Sequence, residues 1–398
     1  MTTTTTADIA PEPDIISPGL TFLLAMSCGL IAANIYYAQP LIGPISAALG
    51  LSLHAAGLIV TMTQIGYGAG LLLVVPLGDL MENRRLICVT IGIGALALLG
   101  AACSTHALPF LAAALFIGLG SIAVQIILPY AAHLAPEAAR GRVIGNVATG
   151  LMLGIMLARP VASLLTAISS WHTVFLFSAA VMMMLAIVLS RALPRRPPVA
   201  QLHYGELLTS MLRLALTTRV LRRRALYQAF LFAAFSLFWT VTPLLLAGPE
   251  FGLSQRGIAL FALAGVAGAI AAPIAGDVAD RGWSRAATAF AMLASALAFL
   301  TTHIAHRGSS LALALLVIAG VLLDFGVQGN FVLGARAIFA LGPESRSRLN
   351  GLYMATFFAA GAAGSALGGW AFAYGGWPLA SWIGFALPVA ALLALATE

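Results

Sequence analysis

The chain contains no lysine, little charge and little cysteine. All twenty basic residues among its 398 are arginine, charged residues make up 8 % of the sequence and mean hydropathy is +1.00. Because a water-soluble domain carries about 25 % charged residues, this composition excludes a soluble protein of this length. Hydrophobic residues make up 61 % of the chain. The composition therefore predicts a membrane protein.

The residues that metal and nucleotide chemistry require are also scarce. Cys28, Cys88 and Cys103 lie in apolar stretches without metal-ligand spacing, and the seven histidines are scattered. We interpret the cysteines as packing residues. The sequence has no Walker loop to hold nucleotide phosphates and no nucleophile elbow. We therefore predict no enzymatic activity, no metal, no cofactor and no ATP-driven transport by this chain alone.

Long apolar runs dominate what is present. A helix needs about 20 mainly apolar residues to cross a bilayer, and twelve runs qualify, which we number spans 1 to 12. They cover roughly residues 19–46, 54–77, 86–104, 108–134, 143–167, 172–191, 226–248, 257–276, 286–304, 311–339, 350–372 and 377–396. This pattern predicts an all-α membrane protein with twelve transmembrane helices.

The arginines are distributed unevenly between the loops. Sixteen fall in loops or tails on one side of the predicted spans, and two, Arg256 and Arg307, fall on the other. The positive-inside rule then predicts that both termini are cytoplasmic. The formal charge of +7 is explained by this topology and by contact with anionic lipid, so nucleic-acid binding is not expected.

The two halves of the chain repeat a loop motif about 200 residues apart. Gly78-Asp79-x4-Arg84 follows span 2, and Gly276-x3-Asp280-Arg281-Gly282-x2-Arg285 follows span 8. In both copies an aspartate precedes an arginine by five positions. The chain is therefore a tandem repeat of six spans, and a doubled bundle of this kind is a common transporter plan with the substrate between the halves.

The repeat and the hydrophilic stretches predict four segments. The first residues are rich in threonine and lack the positive charge of a secretory signal. After span 6, prolines are followed by leucines alternating with charged residues, which favours a helix lying on the membrane surface. The predicted segments are a disordered cytoplasmic tail at 1–17, a six-helix bundle at 18–192, a cytoplasmic linker with the surface helix at 193–225, and a second six-helix bundle at 226–398.

These features together resemble a known family. Two six-span halves, the Gly/Asp/Arg loop after spans 2 and 8, and Arg-x-Arg after spans 4 and 10 (Arg140–Arg142 and Arg346–Arg348) resemble the major facilitator superfamily from about residue 18 to 396. The resemblance implies two pseudo-symmetric bundles that rock about a central cavity. It also implies a charged gate that locks the cytoplasmic ends while the cavity opens outward. The gate candidates are Asp79, Arg84, Asp280, Arg281 and Arg285.

The first copy of the gate motif departs from the family pattern. Val75, Leu80 and Glu82 stand where the family usually has glycine, arginine and glycine. An asymmetric lock is therefore expected. The alternative is that both loops serve topology alone, as turns carrying positive-inside arginines.

Span 5 carries a second resemblance. Gly145-x8-Gly154-x3-Ala158-Arg159-Pro160 is similar to a degenerate form of the motif that proton-driven drug antiporters carry in this span. Pro160 lies one place late and Arg159 occupies the usual proline position. The resemblance implies export. Ordinary packing of small residues against a neighbouring helix is the alternative explanation.

One acidic residue is predicted deep within the bilayer. Asp324 lies about halfway along span 10, where an ionised aspartate costs roughly 2.5–3.5 kcal/mol, so protonation or a partner is favoured. Gln328 lies one turn further on the same face. We predict Asp324 as the proton-coupling group. The alternative is a protonated aspartate that bonds a neighbouring helix.

Arg159, in the outer half of span 5, is the other charge predicted within the membrane. It could bind an anionic group of the substrate, neutralise Asp324, or extend toward the outer surface. The sequence leaves these alternatives open. Arg336, near the cytoplasmic end of span 10, is expected at the interface and not in the site.

Polar and aromatic residues in the spans supply the predicted cavity. The resemblance implies that spans 1, 4, 7 and 10 line it, and span 1 also carries Pro40, which is expected to bend the helix. Aromatic side chains with few fixed charges suit an amphipathic or weakly polar organic substrate. The substrate-cavity candidates are Asn34, Tyr37, Gln64, Gln125, Arg159, Trp239, Gln328 and Asn330.

The sequence thus predicts a secondary transporter that exports small organic compounds by proton antiport, similar to the twelve-span drug:proton antiporters. The first alternative is proton-coupled import of a sugar, organic acid or other metabolite. The second is a membrane sensor or scaffold that transports nothing. The predicted partners are a small-molecule substrate, protons and the lipid bilayer, with no nucleic acid. The chain is expected to act as a monomer in a bacterial inner membrane.

Overall fold

The structure is a computed structural model that describes residues 16–195, 203–342 and 345–397. This part of the chain is helical and contains no β-strand. Ten of its helical segments are long and apolar enough to cross a membrane, and one of them, Arg346–Ala396, contains two of the predicted spans. Span 1 is made of two shorter helices. The prediction of an all-α membrane protein is confirmed.

The first six spans begin at Pro18, where Ser17 Oγ accepts the Leu20 N–H at 3.1 Å and proline occupies the first helical position. Span 1 breaks where Pro40 was expected to bend it, because Gln39–Leu41 forms a 3-10 turn around the missing proline N–H. The helices are Pro18–Ala33 and Ile42–Leu49 (span 1), Leu58–Leu73 (span 2), Asn83–Ala102 (span 3), Ala107–Gly120 and Ala123–Leu134 (span 4), Glu137–Ile168 (span 5) and Trp171–Ala192 (span 6).

The second six spans repeat this plan. Span 8 is interrupted by a 3-10 segment, Leu263–Ala267. Spans 11 and 12 are two helices that follow each other directly and are separated by a kink at Gly376. The φ of 60° at this residue is accessible to glycine at low cost. The helices are Arg219–Ala247 (span 7), Gln255–Ala262 and Gly268–Asp280 (span 8), Ser284–Thr301 (span 9), Ser310–Phe339 (span 10) and Arg346–Ala396 (spans 11 and 12).

A separate helix, Tyr204–Thr217, lies in the stretch where a surface helix was predicted. Leu207 and Met211 are buried on one side of it, whereas Leu212 and Leu216 are exposed, as expected for a helix lying at a membrane surface. The predicted tail up to residue 15, and residues 196–202 of the linker, lie outside the described residues.

Small residues bring spans 1 and 5 into close contact, which matches the packing explanation given above for the glycines of span 5. A Cβ built on Gly154 would collide with the backbone of Gly29, and one on Gly150 would collide with the backbone of Ala25. Gly145 belongs to the same motif but has nothing within 4 Å of its Cβ position. Two glycines of span 5 are therefore used for helix packing, and Gly145 is not.

This difference gives a matched pair of variants. We expect Gly154→Ala to destabilise the protein by about 1–3 kcal/mol, because its methyl group must push two helix backbones apart. Gly145→Ala should leave stability unchanged or slightly higher, since alanine is the better helix former. Thermal melting in detergent checks both, and equal melting temperatures for the two variants would contradict the packing argument.

The halves meet tightly on one face of the molecule. Thr61 Oγ1 of span 2 donates to the Ala362 carbonyl of span 11 at 3.0 Å, and Gln64 Nε2 donates to Ser236 Oγ of span 7 at 2.7 Å. Span 5 contacts Gln255–Ala262 and the 3-10 segment of span 8, whereas Gly268–Asp280 packs on spans 9 and 10. We call the other face, which carries the loops after spans 2, 4, 8 and 10, the arginine-rich face.

Candidate functional site

A cavity of about 420 Å³ lies between the two halves. Spans 1, 4, 7 and 10 contribute to it, as the family resemblance implied, together with spans 2, 5, 8 and 11. Most of its lining is aliphatic, methionine or phenylalanine. It reaches Phe339 and Asn350 near the arginine-rich face, and its far end is formed by Arg159, Gly265 and Asp324. The only two charged side chains among its lining residues therefore lie together at that end.

Asp324 is buried at the far end of the cavity. It is 6 % exposed, and its Oδ1 accepts the indole N–H of Trp239 at 2.8 Å. Its Oδ2 lies beside Gly265 of span 8, which also lines the cavity. Within the described part of the chain, no hydrogen bond reaches this second oxygen. One carboxylate oxygen is therefore held by span 7, and the other faces the cavity wall.

Arg159 lies beside Asp324 in an aromatic cage. It is 3 % exposed, and its guanidinium carbon lies 4.3 Å from the ring centroid of Trp239, 5.1 Å from that of Tyr36 and 5.2 Å from that of Phe235. Such cation–π contacts stabilise a buried guanidinium. Its Nε donates to Gln39 Oε1 at 2.6 Å, while Arg159 Nη2 and Gln39 Nε2 are buried and have no hydrogen-bond partner among the residues that the structure describes. The site thus retains unused donors.

Arg159 and Asp324 are close enough to interact electrostatically. Among the described residues, however, no ion pair joins the two side chains. They flank the position that a Cβ on Gly265 would occupy. That position is 3.0 Å from Asp324 Oδ2 and 3.2 Å from Arg159 Nη1. The two charges are therefore neighbours across a gap in the wall formed by span 8. Of the alternatives for Arg159, extension toward the outer surface does not match this buried, caged position.

The other predicted cavity residues divide into two groups. Gln125 and Gln328 line the cavity, where Gln125 Nε2 donates to Tyr67 Oη at 2.9 Å and Gln328 Nε2 lies 4.0 Å from Met152 Sδ across the halves. Trp239 stands behind Asp324 and Arg159 and closes the far end. These residues surround the route to the acid.

The remaining candidates hold helices together. Asn34 accepts a hydrogen bond from Ser178 of span 6 through Oδ1, and Tyr37 is buried away from the cavity lining. Gln64 bonds span 7, as described above. Asn330 Nδ2 donates to Gln228 Oε1 at 2.7 Å. The polar groups of Asn34, Gln64 and Asn330 bond to other helices. The periodicity of a single helix cannot distinguish such residues from residues that face a cavity.

Sequence reasoning missed three residues of the site. Gln39, which holds Arg159, belongs to a polar cluster of span 1 that runs from Asn34 to Pro40. Tyr36 belongs to that cluster too. Gly265 carried no signal beyond being a glycine in a membrane span, because its role depends on which side chains of spans 5, 7 and 10 surround it.

The gate candidates lie at the arginine-rich face. Glu82 caps span 3, because its carboxylate accepts hydrogen bonds from the N–H groups of Arg84 and Arg85 at 3.1 Å. Arg84 Nη1 donates to the Leu193 carbonyl at 3.2 Å. Asp79 lines a small recess together with Arg348, at the start of span 11, and Met211. The first-half motif therefore lies against the linker helix and the second half.

The second-half motif makes a different contact. Asp280 forms an ion pair with Arg336 of span 10, and Arg336 Nη1 also donates to the Gly276 carbonyl at 3.0 Å. Arg281 and Arg285 are exposed. Arg336, which we expected only at the membrane interface, is therefore the partner of a gate candidate. The two copies of the motif are not equivalent in this conformation.

Comparisons with known proteins agree with this architecture. The chain is 39 % identical over 362 residues to the uncharacterized transporter YgaY of Escherichia coli O157:H7, covering 91 % of each chain. It is 33 % identical over 359 residues to the probable transporter SCO4007 of Streptomyces coelicolor, covering 89 % of this chain and 82 % of that one.

Similarity to solved structures concerns the fold alone. The nucleoside transporter NupG superposes with a TM-score of 0.77 over 95 % of this chain and 99 % of that one, at 14 % identity. The predicted fold of two six-helix halves is thereby confirmed. The model of the Major Facilitator Superfamily matches residues 21–323. With most of the chain matched, a transporter fold and a cavity between its halves, this protein belongs to the Major Facilitator Superfamily and is a transporter, not an enzyme.

Proposed function

We propose that this transporter exports a small organic compound in exchange for a proton, with Asp324 as the group that carries the proton. The two oxygens of the carboxylate support this proposal. Trp239 occupies Oδ1, so Oδ2 is the one oxygen left for a ligand. A proton on Oδ2 turns that oxygen from an acceptor into a donor. A compound that must donate a hydrogen bond to Oδ2 therefore competes with the proton, and competition is what exchange requires.

The shape of the cavity supports a cycle of alternating access. In this conformation the halves are packed together away from the arginine-rich face, and the cavity extends toward that face. We propose that this face is cytoplasmic, that both termini lie there, and that the membrane is a bacterial inner membrane, since the similar sequences are bacterial. The compound would enter from the cytoplasm, and a proton from outside would displace it after the halves rock.

The energy available for such a cycle is sufficient for accumulation. Each proton that moves inward supplies roughly 2.3 kcal/mol per 100 mV of membrane potential, besides the pH gradient. One chain provides both walls of the cavity, so we propose that a monomer is the working unit. Asp79, Arg84, Asp280, Arg281 and Arg285 are proposed to close the cytoplasmic side when the cavity faces outward, with Asp280 exchanging its contact with Arg336 during closure.

Everted membrane vesicles test the direction of transport. With an acidified lumen, an exporter moves compound into the lumen and releases protons, so the pH gradient should collapse when a transported compound is added. A pH-sensitive dye and direct measurement of accumulated compound give the two readouts. Loss of preloaded compound together with protons would indicate an importer. Absence of flux for every compound, with no effect of Asp324→Asn on any phenotype, would indicate a sensor or scaffold.

Proton-coupled import is the second candidate, and Arg159 is the observation that favours it. Arg159 lies beside Asp324, and neither its Nη2 nor the Nε2 of Gln39, which bonds Arg159, has a hydrogen-bond partner among the described residues. An organic anion bound to these donors would favour a proton on Asp324, because the proton removes a neighbouring negative charge. Compound and proton would then move together in the same direction. The charge of the transported compound therefore distinguishes the two candidates.

A further inference from the structure

Two glycines of span 8 lie against Asp324 at the far end of the cavity. Gly265 lies in the 3-10 segment and Gly268 begins the next helix, and both line the cavity. A Cβ on Gly268 would lie 3.4 Å from the Cβ of Asp324. A Cβ on Gly265 would lie 3.0 Å from Asp324 Oδ2, 3.2 Å from Arg159 Nη1 and 3.3 Å from Trp239 Cζ2. Gly265 is therefore the closer of the two to the reactive oxygen.

The atoms around Gly265 have little freedom to retreat. Asp324 is tied to Trp239 through Oδ1, and Arg159 is tied to Gln39 and enclosed by aromatic rings. A methyl group at position 265 would lie 3.0–3.3 Å from the side chains of Asp324, Arg159 and Trp239, so at least one of them would have to shift by a few tenths of an ångström. Any other residue at this position would therefore alter the geometry of the acid site.

Gly265 differs from the glycines that serve helix packing. At Gly154 a Cβ would collide with the backbone of a neighbouring helix. At Gly265 the nearest atoms are instead the polar ends of Asp324 and Arg159 and the indole ring of Trp239. The absence of a side chain thus opens space at a carboxylate and does not bring two helices together.

We infer that the lack of side chains at Gly265 and Gly268 leaves a window at the far end of the cavity, where protons and the polar end of the compound reach Oδ2 of Asp324, and that this polar end is a hydrogen-bond donor. The inference rests on the proposed exchange at Asp324. The free oxygen can accept a hydrogen bond only from a donor, whereas a carboxylate or phosphate would be repelled by it. The apolar lining of the cavity fits the rest of such a compound. The substrate class is therefore an amphipathic molecule with a hydroxyl, amide or amine at one end.

Chemical labelling tests the window without knowledge of the substrate. A water-soluble carbodiimide adds to an accessible protonated carboxyl, and mass spectrometry of the purified protein measures the adduct on Asp324. We expect Gly265→Ala to slow labelling by about tenfold, because the methyl group would lie about 3.0 Å from Oδ2 and cover it on the side of span 8. Gly329→Ala is the matched control in span 10, since nothing lies within 4 Å of its Cβ position, and it should label at the wild-type rate.

The folding of each variant is checked by thermal melting. If Gly265→Ala does not fold, Gly268→Val is a second variant that obstructs access to Asp324, because a Cβ at position 268 would lie 3.4 Å from the Cβ of Asp324. If a folded Gly265→Ala or Gly268→Val variant is labelled at the wild-type rate, the window inference is wrong. The inference is also wrong if Asp324 of the wild-type protein does not react with the carbodiimide.

Protection from the carbodiimide tests the donor. Benzyl alcohol and benzyl methyl ether share an apolar body and differ in one hydrogen-bond donor, while benzoate supplies an anion on the same ring. We expect the alcohol to slow labelling of Asp324 and the ether and benzoate to leave it unchanged. Equal protection by alcohol and ether, no protection by the alcohol, or protection by benzoate alone would overturn the donor assignment.

These results are separable from failure of the proposed exchange. If Asp324→Asn abolishes proton coupling while Gly265→Ala leaves labelling unchanged, the acid carries the proton but the glycines do not control its access. If Gly265→Ala slows labelling while Asp324→Asn retains coupling, the window exists but proton exchange takes place elsewhere. Each proposal therefore has its own contradicting result.

Discussion

Replacing Asp324 by asparagine is expected to abolish proton coupling while leaving the protein folded. The asparagine oxygen can still accept the indole N–H of Trp239, whose bond to Asp324 is 2.8 Å long. Its NH₂ group places donors where the free carboxylate oxygen was, so the side chain resembles the protonated acid and cannot release a proton. The variant should therefore remain in one state of the exchange at every pH.

The measurement is the pH dependence of binding. A ligand-stability screen of the purified protein identifies a bound compound, and its affinity is then followed as pH falls. One competing proton weakens the apparent affinity of the wild type by up to about tenfold per pH unit. We expect Asp324→Asn to bind more weakly with no such slope, and to support no accumulation in everted vesicles.

Glu137→Gln is the matched control for this experiment. It also removes one carboxylate, but Glu137 is exposed at the start of span 5. We expect it to keep the wild-type slope. If the slope persists unchanged in Asp324→Asn, the coupling role of Asp324 is wrong, whatever the compound turns out to be.

Arg159→Gln is expected to cause the second large effect, a loss of stability that depends on Asp324. Removing the guanidinium leaves an ionised carboxylate buried without its neighbouring positive charge, which is costly in a low-dielectric site. The double variant Arg159→Gln/Asp324→Asn should recover much of that loss, because neither charge remains. The coupling energy should be about 1–3 kcal/mol, within the range measured for residues that interact.

Unfolding in detergent at a pH where the acid is ionised gives this energy from the four proteins of the double-mutant cycle. Arg159→Gln combined with Glu137→Gln is the control cycle and should be additive within about 0.5 kcal/mol, since the two sites are far apart. Strict additivity of Arg159→Gln and Asp324→Asn would show that Arg159 does not neutralise the acid. If binding of benzoate were also lost in Arg159→Gln, the import candidate would gain support over exchange.

The fold and the position of the acid could be predicted from the sequence because both follow from its composition and its periodicity. Twelve apolar runs, the repeated Asp/Arg loops and one carboxylate in the middle of span 10 need no knowledge of neighbours. Gln125 and Gln328 were also identified as cavity candidates, because the family resemblance implies that spans 4 and 10 line the cavity, and both residues do line it.

Partnerships between distant spans could not be predicted. Asn34 and Asn330 have the same polarity and depth as cavity residues, but each bonds a side chain on another helix. Arg336 has the expected position at a helix end, but its role as the partner of Asp280 depends on how spans 8 and 10 cross. Side-chain direction around a helix axis is set by packing, which a single sequence does not specify.

From its sequence alone, this chain is expected to span a membrane in two similar halves, because the cost of burying charge and unpaired backbone in lipid leaves few other solutions. The tertiary structure was needed to show that Trp239 holds Oδ1 of Asp324 while Oδ2 lies beside Gly265, and that Arg159 is caged next to the acid. Those facts depend on four spans meeting at one point, and contacts of that kind arise from packing and not from local pattern.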